Sequence, residues 1–279
     1  MKILFIADLF NNELNGGAEN NDNVLIDFLK NKNYLIDCIK CSFFSEEIAN
    51  KYNFFIISNF ITLQEKHKIF LRDKKYIIYE HDHKYIKTRD PSKYSNFKIP
   101  DDDLINVDFY KKATAVVVLS KICKEVIEKN LDLENVYNIG CSLWSDERLD
   151  FIDSLSNNKK NNKYAVLASN NPIKNTNAAI ELCKKHNLDF ELIPSCGELE
   201  LLKRLSFFEG LVFLPGVLET FSRISAEAKM FNCKLVTKPR MLGFASEEEI
   251  YNLSGIDLIN NIRNRKDAAL ELFNNLLTR

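Results

Sequence analysis

Apolar runs of strand length alternate with helix-length periodic segments along almost the whole chain, and no other feature limits the fold as much. The run Ala115-Val-Val-Val-Leu119 is β-branched at most positions and reads as a strand buried on both faces. In the first half, strands are predicted over 2–7, 34–39, 53–57, 76–79, 115–119 and 135–139. Helices are predicted over 18–31, 102–112 and 121–130, the first with Val24, Leu25, Phe28 and Leu29 on one face. The polar stretch Ser154-Leu-Ser-Asn-Asn-Lys-Lys-Asn-Asn-Lys163 interrupts the pattern and reads as a linker. Beyond it, strands over 164–168, 189–193, 211–214 and 233–237 alternate with helices over 174–187, 198–208 and 223–231. Two more helical segments, 246–253 and 257–277, follow. Such alternation implies parallel sheets joined by right-handed crossovers. The predicted fold is α/β, with two Rossmann-like α/β/α domains facing a cleft, over residues 1–155 and 156–279. Ligands of such sheets bind outside the C-terminal ends of the strands, and with two domains the cleft is the expected site.

Composition removes several function classes. Lys and Arg number 38 against 39 Asp and Glu, so the chain lacks the basic excess of a dedicated nucleic-acid binder. No apolar run reaches the roughly 18–20 residues that a membrane span needs. The run over 1–8 is too short for a signal peptide and reads as the first strand. Seven scattered cysteines in such a chain are expected to be reduced thiols, which suits a cytoplasmic placement, with peripheral contact at the inner face of a membrane allowed. Cys38-Ile-Lys-Cys41 has no second pair and reads as structural thiols rather than half a zinc site.

The segment Leu214-Pro-Gly-Val-Leu-Glu219-Thr-Phe-Ser222-Arg-Ile-Ser-Ala-Glu227-Ala228 carries the most chemistry. A strand ends, a loop carries Glu219, and a helix starts near Ser222, a good N-cap type. Ile224, Ala228 and Phe231 share one face of that helix, and Glu227 falls in its middle. An acid so placed is expected to be buried, which is costly without a partner. A ligand diol offers two donors to one carboxylate; a nearby Lys or Arg is the structural alternative. Gly16-Gly17 opens a helix just past a strand, an anion-friendly geometry. His81-Asp82-His83 follows a strand. Read as extended, it puts His81 and His83 on one side with Asp82 opposite, and His67 and His186 are too remote in sequence to complete a metal site. The basic run from Lys84 to Arg89, with Lys93, reads as a solvated loop; an anionic acceptor or lipid headgroups are the alternative.

These residues carry a resemblance. Glu219-x7-Glu227 with Phe221 and Ala228 looks like the E-x7-E motif of retaining glycosyltransferases of the GT-B fold, especially family 4. Gly16-Gly17-Ala18-Glu19 is similar to that family's N-terminal glycine-rich loop, and Glu80-His81-Asp82 to its donor-site histidine segment. Val117-Val-Leu-Ser120 with residues 136–139 resembles the end of its N-terminal domain. Ala168-Ser-Asn-Asn-Pro-Ile-Lys174-Asn175 resembles the segment that opens its C-terminal domain chemistry. The resemblance covers most of the chain, with the five motifs in the family's order.

It implies a retaining transferase that moves a sugar from a nucleotide-diphosphate sugar to a glycan or glycolipid hydroxyl, without a metal cofactor. Glu227 would bind the ribose hydroxyls and Glu219 those of the transferred sugar. Lys174 would bind the diphosphate, and His81 would sit near the sugar's anomeric carbon. Gly16 and Gly17 would let backbone approach the phosphate or the acceptor. Thr220, Phe221, Ser222 and Arg223 would complete the donor-binding segment. A leaving diphosphate needs positive charge and fixed N–H dipoles, which Lys174 and the helix start at 222/223 can supply.

The chain departs from the family where Ala168-Ser169-Asn170 replaces a glycine and an arginine, so the second phosphate cation is missing there; Arg223 or Arg240 is the candidate substitute. Ser222 stands where the family has a glycine, and the chain is shorter than typical members. A dehydrogenase would need G-x-G-x-x-G after the first strand, which is absent. A degenerate, non-catalytic nucleotide-binding protein of the same fold is the alternative.

Overall fold

The computed structural model describes residues 1–13 and 16–278. It divides into two compact α/β units. The first comprises Met1–Trp144 and Arg265–Arg279, the second Ser145–Asn264.

The first unit holds a six-stranded parallel sheet. Its strands are β1 (Lys2–Ala7), β2 (Leu35–Lys40), β3 (Phe54–Ile57), β4 (Tyr76–Tyr79), β5 (Ala115–Val118) and β6 (Val136–Asn138), in spatial order β2-β1-β3-β4-β5-β6. The α-helices α1 (Gly17–Asn31), α2 (Glu46–Ala49), α3 (Glu65–Leu71), α4 (Val107–Lys112) and α5 (Lys121–Leu131) connect them. Every residue of β3, β4 and β5 is buried, as their continuous apolar composition requires. The buried residues of α1 are Glu19, Asn21, Asp22, Leu25, Ile26 and Leu29. They are rotated from the expected stripe, because Val24 and Phe28 stay half-exposed while three polar residues turn inward.

The second unit holds helices α6 (Asp146–Leu155), α7 (Thr176–Lys185), α8 (Glu198–Leu205), α9 (Arg223–Met230), α10 (Gly243–Ser246) and α11 (Glu248–Tyr251). Its parallel sheet runs β10-β9-β7-β8, with β7 (Tyr164–Leu167), β8 (Phe190–Ile193), β9 (Gly210–Val212) and β10 (Lys234–Val236). Val166, Ala179, Cys183, Val212 and Leu214 form its core between sheet and helix. The last helix, α12 (Gly255–Leu277), begins in this unit, and its residues from Arg265 onward count with the first. There Phe273 meets Tyr79 edge-on at 4.9 Å, and Asn274 accepts from the Tyr34 hydroxyl at 2.8 Å.

Two expectations are corrected here. The division does not fall between 155 and 156: α6, unforeseen, belongs wholly to the second unit, and the C-terminal residues return to the first. The polar stretch from Ser154 to Lys163 is not a free linker either. Asn158 donates to Ser206 Oγ at 2.8 Å, and Lys160 Nζ donates to the carbonyls of Ser206 at 2.8 Å and Phe231 at 2.5 Å. Lys160 thus caps carbonyls just past the ends of α8 and α9.

Both sheets have a point where the strand order reverses. After β1 the chain goes to β2 on one side, then to β3 on the other; after β7 it goes to β8, then to β9. The loops leaving such a pair of strands diverge to opposite faces and leave a crevice at their C-terminal ends. Glu219 and Lys174 lie on the two loops that leave β9 and β7, and Gly16-Gly17 lies on the loop that leaves β1.

Candidate functional site

In the second unit, Lys174 is not on a helix as expected. It ends a 3-10 turn, Pro172–Lys174, and Asn175 after it is left-handed at φ 49°, so α7 cannot start before Thr176. The turn is pinned at both ends. Thr176 Oγ1 donates to the Leu167 carbonyl at 2.7 Å and accepts from Ser169 N at 3.1 Å, and the Asn171 side chain accepts from Ile173 N at 3.0 Å. The loop after β9 presses against this turn through Gly216, whose N–H donates to the Ile173 carbonyl at 2.9 Å. A Cβ on Gly216 would lie 2.9 Å from the Pro172 carbonyl oxygen, so only glycine lets the two backbones come this close.

That approach delivers Lys174 to Glu219. The ammonium lies 3.1 Å from Glu219 Oε1 and 5.4 Å from the centre of the Phe213 ring. The lysine side chain is 34% exposed and the glutamate 17%, so the pair opens to solvent. The backbone beneath is zipped to the segment after β10. Glu219 N donates to the Met241 carbonyl at 3.0 Å, and Gly243 N and Phe244 N donate to the carbonyls of Glu219 and Phe221, each at 2.8 Å. Thr220 lies half-buried on this strip, and Phe221 packs on Phe244 with ring centres 5.4 Å apart.

Ser222 is the residue before α9, but its side chain does not cap the helix. Its φ is 78°, and its hydroxyl lies 2.9 Å from that of Ser225 instead. The left-handed backbone explains why a glycine suits this position. Glu227, in the second turn, is 4% exposed. Its Oε1 lies 3.8 Å from Arg223 Nε, one turn earlier, so the structural partner foreseen for this acid is present. Arg223 also approaches Glu198, at 3.7 Å, and Glu198 meets Arg148 at 3.1 Å. Arg240 is exposed on the short turn Pro239–Met241.

In the first unit, Gly16 precedes α1 in an extended conformation (φ −107°) that any residue can adopt, and Gly17 is the first residue of the helix. One turn on, Asp22 turns inward and meets His81, with Oδ1 3.1 Å from Nε2 and both side chains buried. Tyr79 packs against the imidazole with ring centres 4.2 Å apart and planes tilted by 57°. Residues 81–83 are not extended: His83 has φ 54°, and its Nδ1 meets the Tyr85 hydroxyl at 3.0 Å. The two histidines therefore serve different partners, while Asp82 accepts from Arg89 at 2.9 Å. Among the described residues, no group of three His, Cys, Asp or Glu is placed to hold a metal ion.

Glu80 anchors this turn. Its Oε1 accepts from Lys84 Nζ at 2.7 Å and from Asp82 N at 2.8 Å, and its Oε2 accepts from the Tyr110 hydroxyl. Burial pushes its carboxyl pKa up, but the Lys84 charge and these donors outweigh it and hold the group at about 2. Lys84 is thus removed from the basic run expected to be solvated; Lys87 and Arg89 remain exposed. Glu19, in the first turn of α1, is buried, and burial raises its pKa.

Sequence reasoning missed Asp22, Glu198 and Arg148. For Asp22 a signal existed: it lies four residues before Ile26 and seven before Leu29, on the helix's apolar face. Glu198 and Arg148 carry no comparable local mark, because only the packing of α6, α8 and α9 brings them together.

No family model matches the chain, and no curated protein matches it. Solved structures do. The chain is similar to Anabaena HepE, solved with UDP and glucose, at 12% identity and a TM-score of 0.58, over 96% of this chain and 90% of that one. It is similar to the catalytic domain of starch synthase IV from Arabidopsis thaliana, bound to ADP and acarbose, at 7% identity and a TM-score of 0.56, over 100% and 98%. It is also similar to UDP-GlcNAc 2-epimerase from Methanocaldococcus jannaschii, at 11% identity and a TM-score of 0.50, over 96% and 92%. The shared architecture, two Rossmann-like units, is the GT-B fold, and it hosts both transferases and an epimerase, so the fold alone does not choose the reaction.

Proposed function

We propose that this chain is a retaining glycosyltransferase that moves a sugar from a nucleoside-diphosphate sugar to the hydroxyl of a glycan or glycolipid acceptor. The observation that carries the reading is the arrangement at the reversal point of the second sheet. There, both carboxylates of Glu219-x7-Glu227 stand beside a cation, Lys174 at 3.1 Å and Arg223 at 3.8 Å. A nucleoside-diphosphate sugar offers phosphate oxygens to the cations and hydroxyls to the carboxylates, so it matches both halves of each pair at once. HepE, of the same fold, was solved with UDP-glucose, which supports the same ligand class here.

In this reading Lys174 and Arg223 hold the diphosphate, Glu227 the ribose diol and Glu219 the sugar hydroxyls. Thr220, Phe221 and Ser222 shape the segment between them, and the N–H groups opening α9 add their dipoles. The bond from the anomeric carbon to the phosphate oxygen breaks, and the bond to the acceptor oxygen forms on the same face of the sugar. The acceptor's proton passes to the departing phosphate, so no strong side-chain base is needed. Catalysis comes from electrostatic stabilisation and orientation, for which the residues present need no metal. The first unit would serve the acceptor side, with Gly16 and Gly17 at the start of α1 and His81, oriented by Asp22, acting in turnover. Among the described residues no helix is long and apolar enough to cross a membrane; a lipid acceptor would be met by peripheral contact.

The test is turnover. Purified protein is incubated with UDP-, ADP-, GDP-, CDP- and dTDP-sugars, and nucleotide release and the anomeric configuration of the product are followed by NMR. Release with retained configuration is expected. Inversion would overturn the retaining assignment, and tight binding without release would favour the non-catalytic nucleotide-binding reading, to which the missing family arginine in the loop after β7 lends weight.

A further inference from the structure

Arg223 stands between two carboxylates. Its Nη2 lies 3.7 Å from Glu198 Oε1 and its Nε 3.8 Å from Glu227 Oε1. Both distances exceed hydrogen-bond range, so these two contacts are contacts of charge. Glu198 is anchored on its other side, where Oε2 lies 3.1 Å from Arg148 Nη2. The result is a row of alternating charge, Arg148, Glu198, Arg223 and Glu227, supplied by α6, the first residue of α8 and the first two turns of α9. Arg148 Nη1 is buried and has no hydrogen-bond partner among the described residues.

We propose that Glu198 and Arg148 are positioning residues that hold Arg223 ready for a nucleoside diphosphate, making Arg223 the second phosphate cation that the loop after β7 does not supply. The inference rests on the donor-site reading above. Without ligand, Arg223 leans between Glu198 and Glu227. When a ribose diol takes Glu227 and a diphosphate arrives, Arg223 turns from Glu227 to phosphate and keeps Glu198 as its pivot. Arg148 holds Glu198 in place as that pivot. If Glu198 loses its charge, Arg223 falls onto Glu227, and cation and carboxylate are both masked.

This reverses the sign that simple Coulomb attraction gives. Removing a negative charge near a phosphate site ordinarily tightens anion binding. Here Glu198→Gln weakens it, and only while Arg223 is present. The experiment is a double-mutant cycle by calorimetry. UDP, ADP, GDP, CDP and dTDP are screened on the wild type, and the tightest is carried through Glu198→Gln, Arg223→Ala and the double variant. Glu198→Gln is expected to weaken that diphosphate about tenfold, and to leave affinity unchanged or tighter in the Arg223→Ala background. Arg148→Met in both backgrounds gives a second cycle of the same sign, should Glu198→Gln fail to fold. Equal losses in both backgrounds, or tighter binding by Glu198→Gln alone, overturn the inference and leave the donor site standing. A folded wild type that binds none of the five overturns the donor site and the inference with it.

Discussion

The first unit holds the carboxylate of Glu80, fully buried, with three donors. The second unit holds Glu219 and Glu227 beside cations at 3.1 and 3.8 Å, with Lys174 open to solvent. Both clusters lie at the C-terminal ends of parallel strands, and both pair glutamate with a cation. They differ in burial and in spacing. A fully bonded buried pair is locked, because no ligand offers it better partners and losing one member leaves the other stranded. A pair open to solvent, as Lys174 and Glu219 are, or one whose charged groups stand 3.8 Å apart, as Arg223 and Glu227 do, can be taken apart by a ligand that supplies both an anion and hydroxyls. On this comparison, Glu80 serves the shape of the turn that carries His81, whereas the Glu219 and Glu227 pairs are the ones that the proposed function has exchange partners with a ligand.

The largest effect expected from this contrast is on stability. Glu80→Ala leaves the Lys84 ammonium and the Tyr110 hydroxyl buried without their acceptor, and it should cost about 3–5 kcal/mol, measured by denaturant unfolding. A loss under about 1 kcal/mol would place Glu80 in the same class as the exchangeable pairs. Lys174→Ala should barely change stability, since a part-exposed pair contributes about 1 kcal/mol or less. It should instead weaken a nucleoside diphosphate roughly tenfold more than the matching monophosphate, as for the loss of one charged contact. Calorimetry on both ligands reads this directly.

Acid titration sharpens the same contrast. Glu80 is held at about 2 in the fold, against an ordinary 4.5. A depressed carboxyl pKa contributes stability that is fully present above 4.5 and is lost as pH falls towards 2. The wild type should therefore lose stability through that window, and Glu80→Gln should show a shallower fall there. Equal slopes would mean that the locked network does not form. The smallest effect concerns Ser222, whose φ of 78° strains any residue but glycine. Ser222→Gly should raise the unfolding free energy by roughly 0.5–1 kcal/mol without loss of nucleotide affinity.

The strand and helix pattern was readable because continuous apolar runs such as 115–119 can only be buried strands in such an alternation. Glu227 was readable as a buried acid because helical spacing placed it among apolar residues, but its partner was expected only as a nearby Lys or Arg, and Arg223 was singled out, beside Arg240, as a phosphate cation for its nearness to the site segments. The limits have physical causes. The stretch 154–163 looked like a linker because its Asn and Lys side chains are polar, yet Asn158 bonds the Ser206 hydroxyl and Lys160 bonds carbonyls near helix ends, which no sequence window shows. Lys84 looked solvated in a basic run because its partner Glu80 lies one residue past a strand, and only the turn at 80–84 brings the two together. The row from Arg148 to Glu227 joins residues 79 positions apart and is created by helix packing alone.

The central claim is that Glu227 is buried for a ligand. Thermal unfolding of the wild type and Glu227→Ala with UDP, ADP, GDP, CDP and dTDP tests it most directly. A nucleotide at about 100 times its dissociation constant stabilises by about 2.7 kcal/mol, a shift of several degrees for a chain of this size. That shift is expected for at least one nucleotide in the wild type, and its loss in a folded Glu227→Ala. An equal shift in both proteins, or a wild type that no nucleotide stabilises, would contradict it.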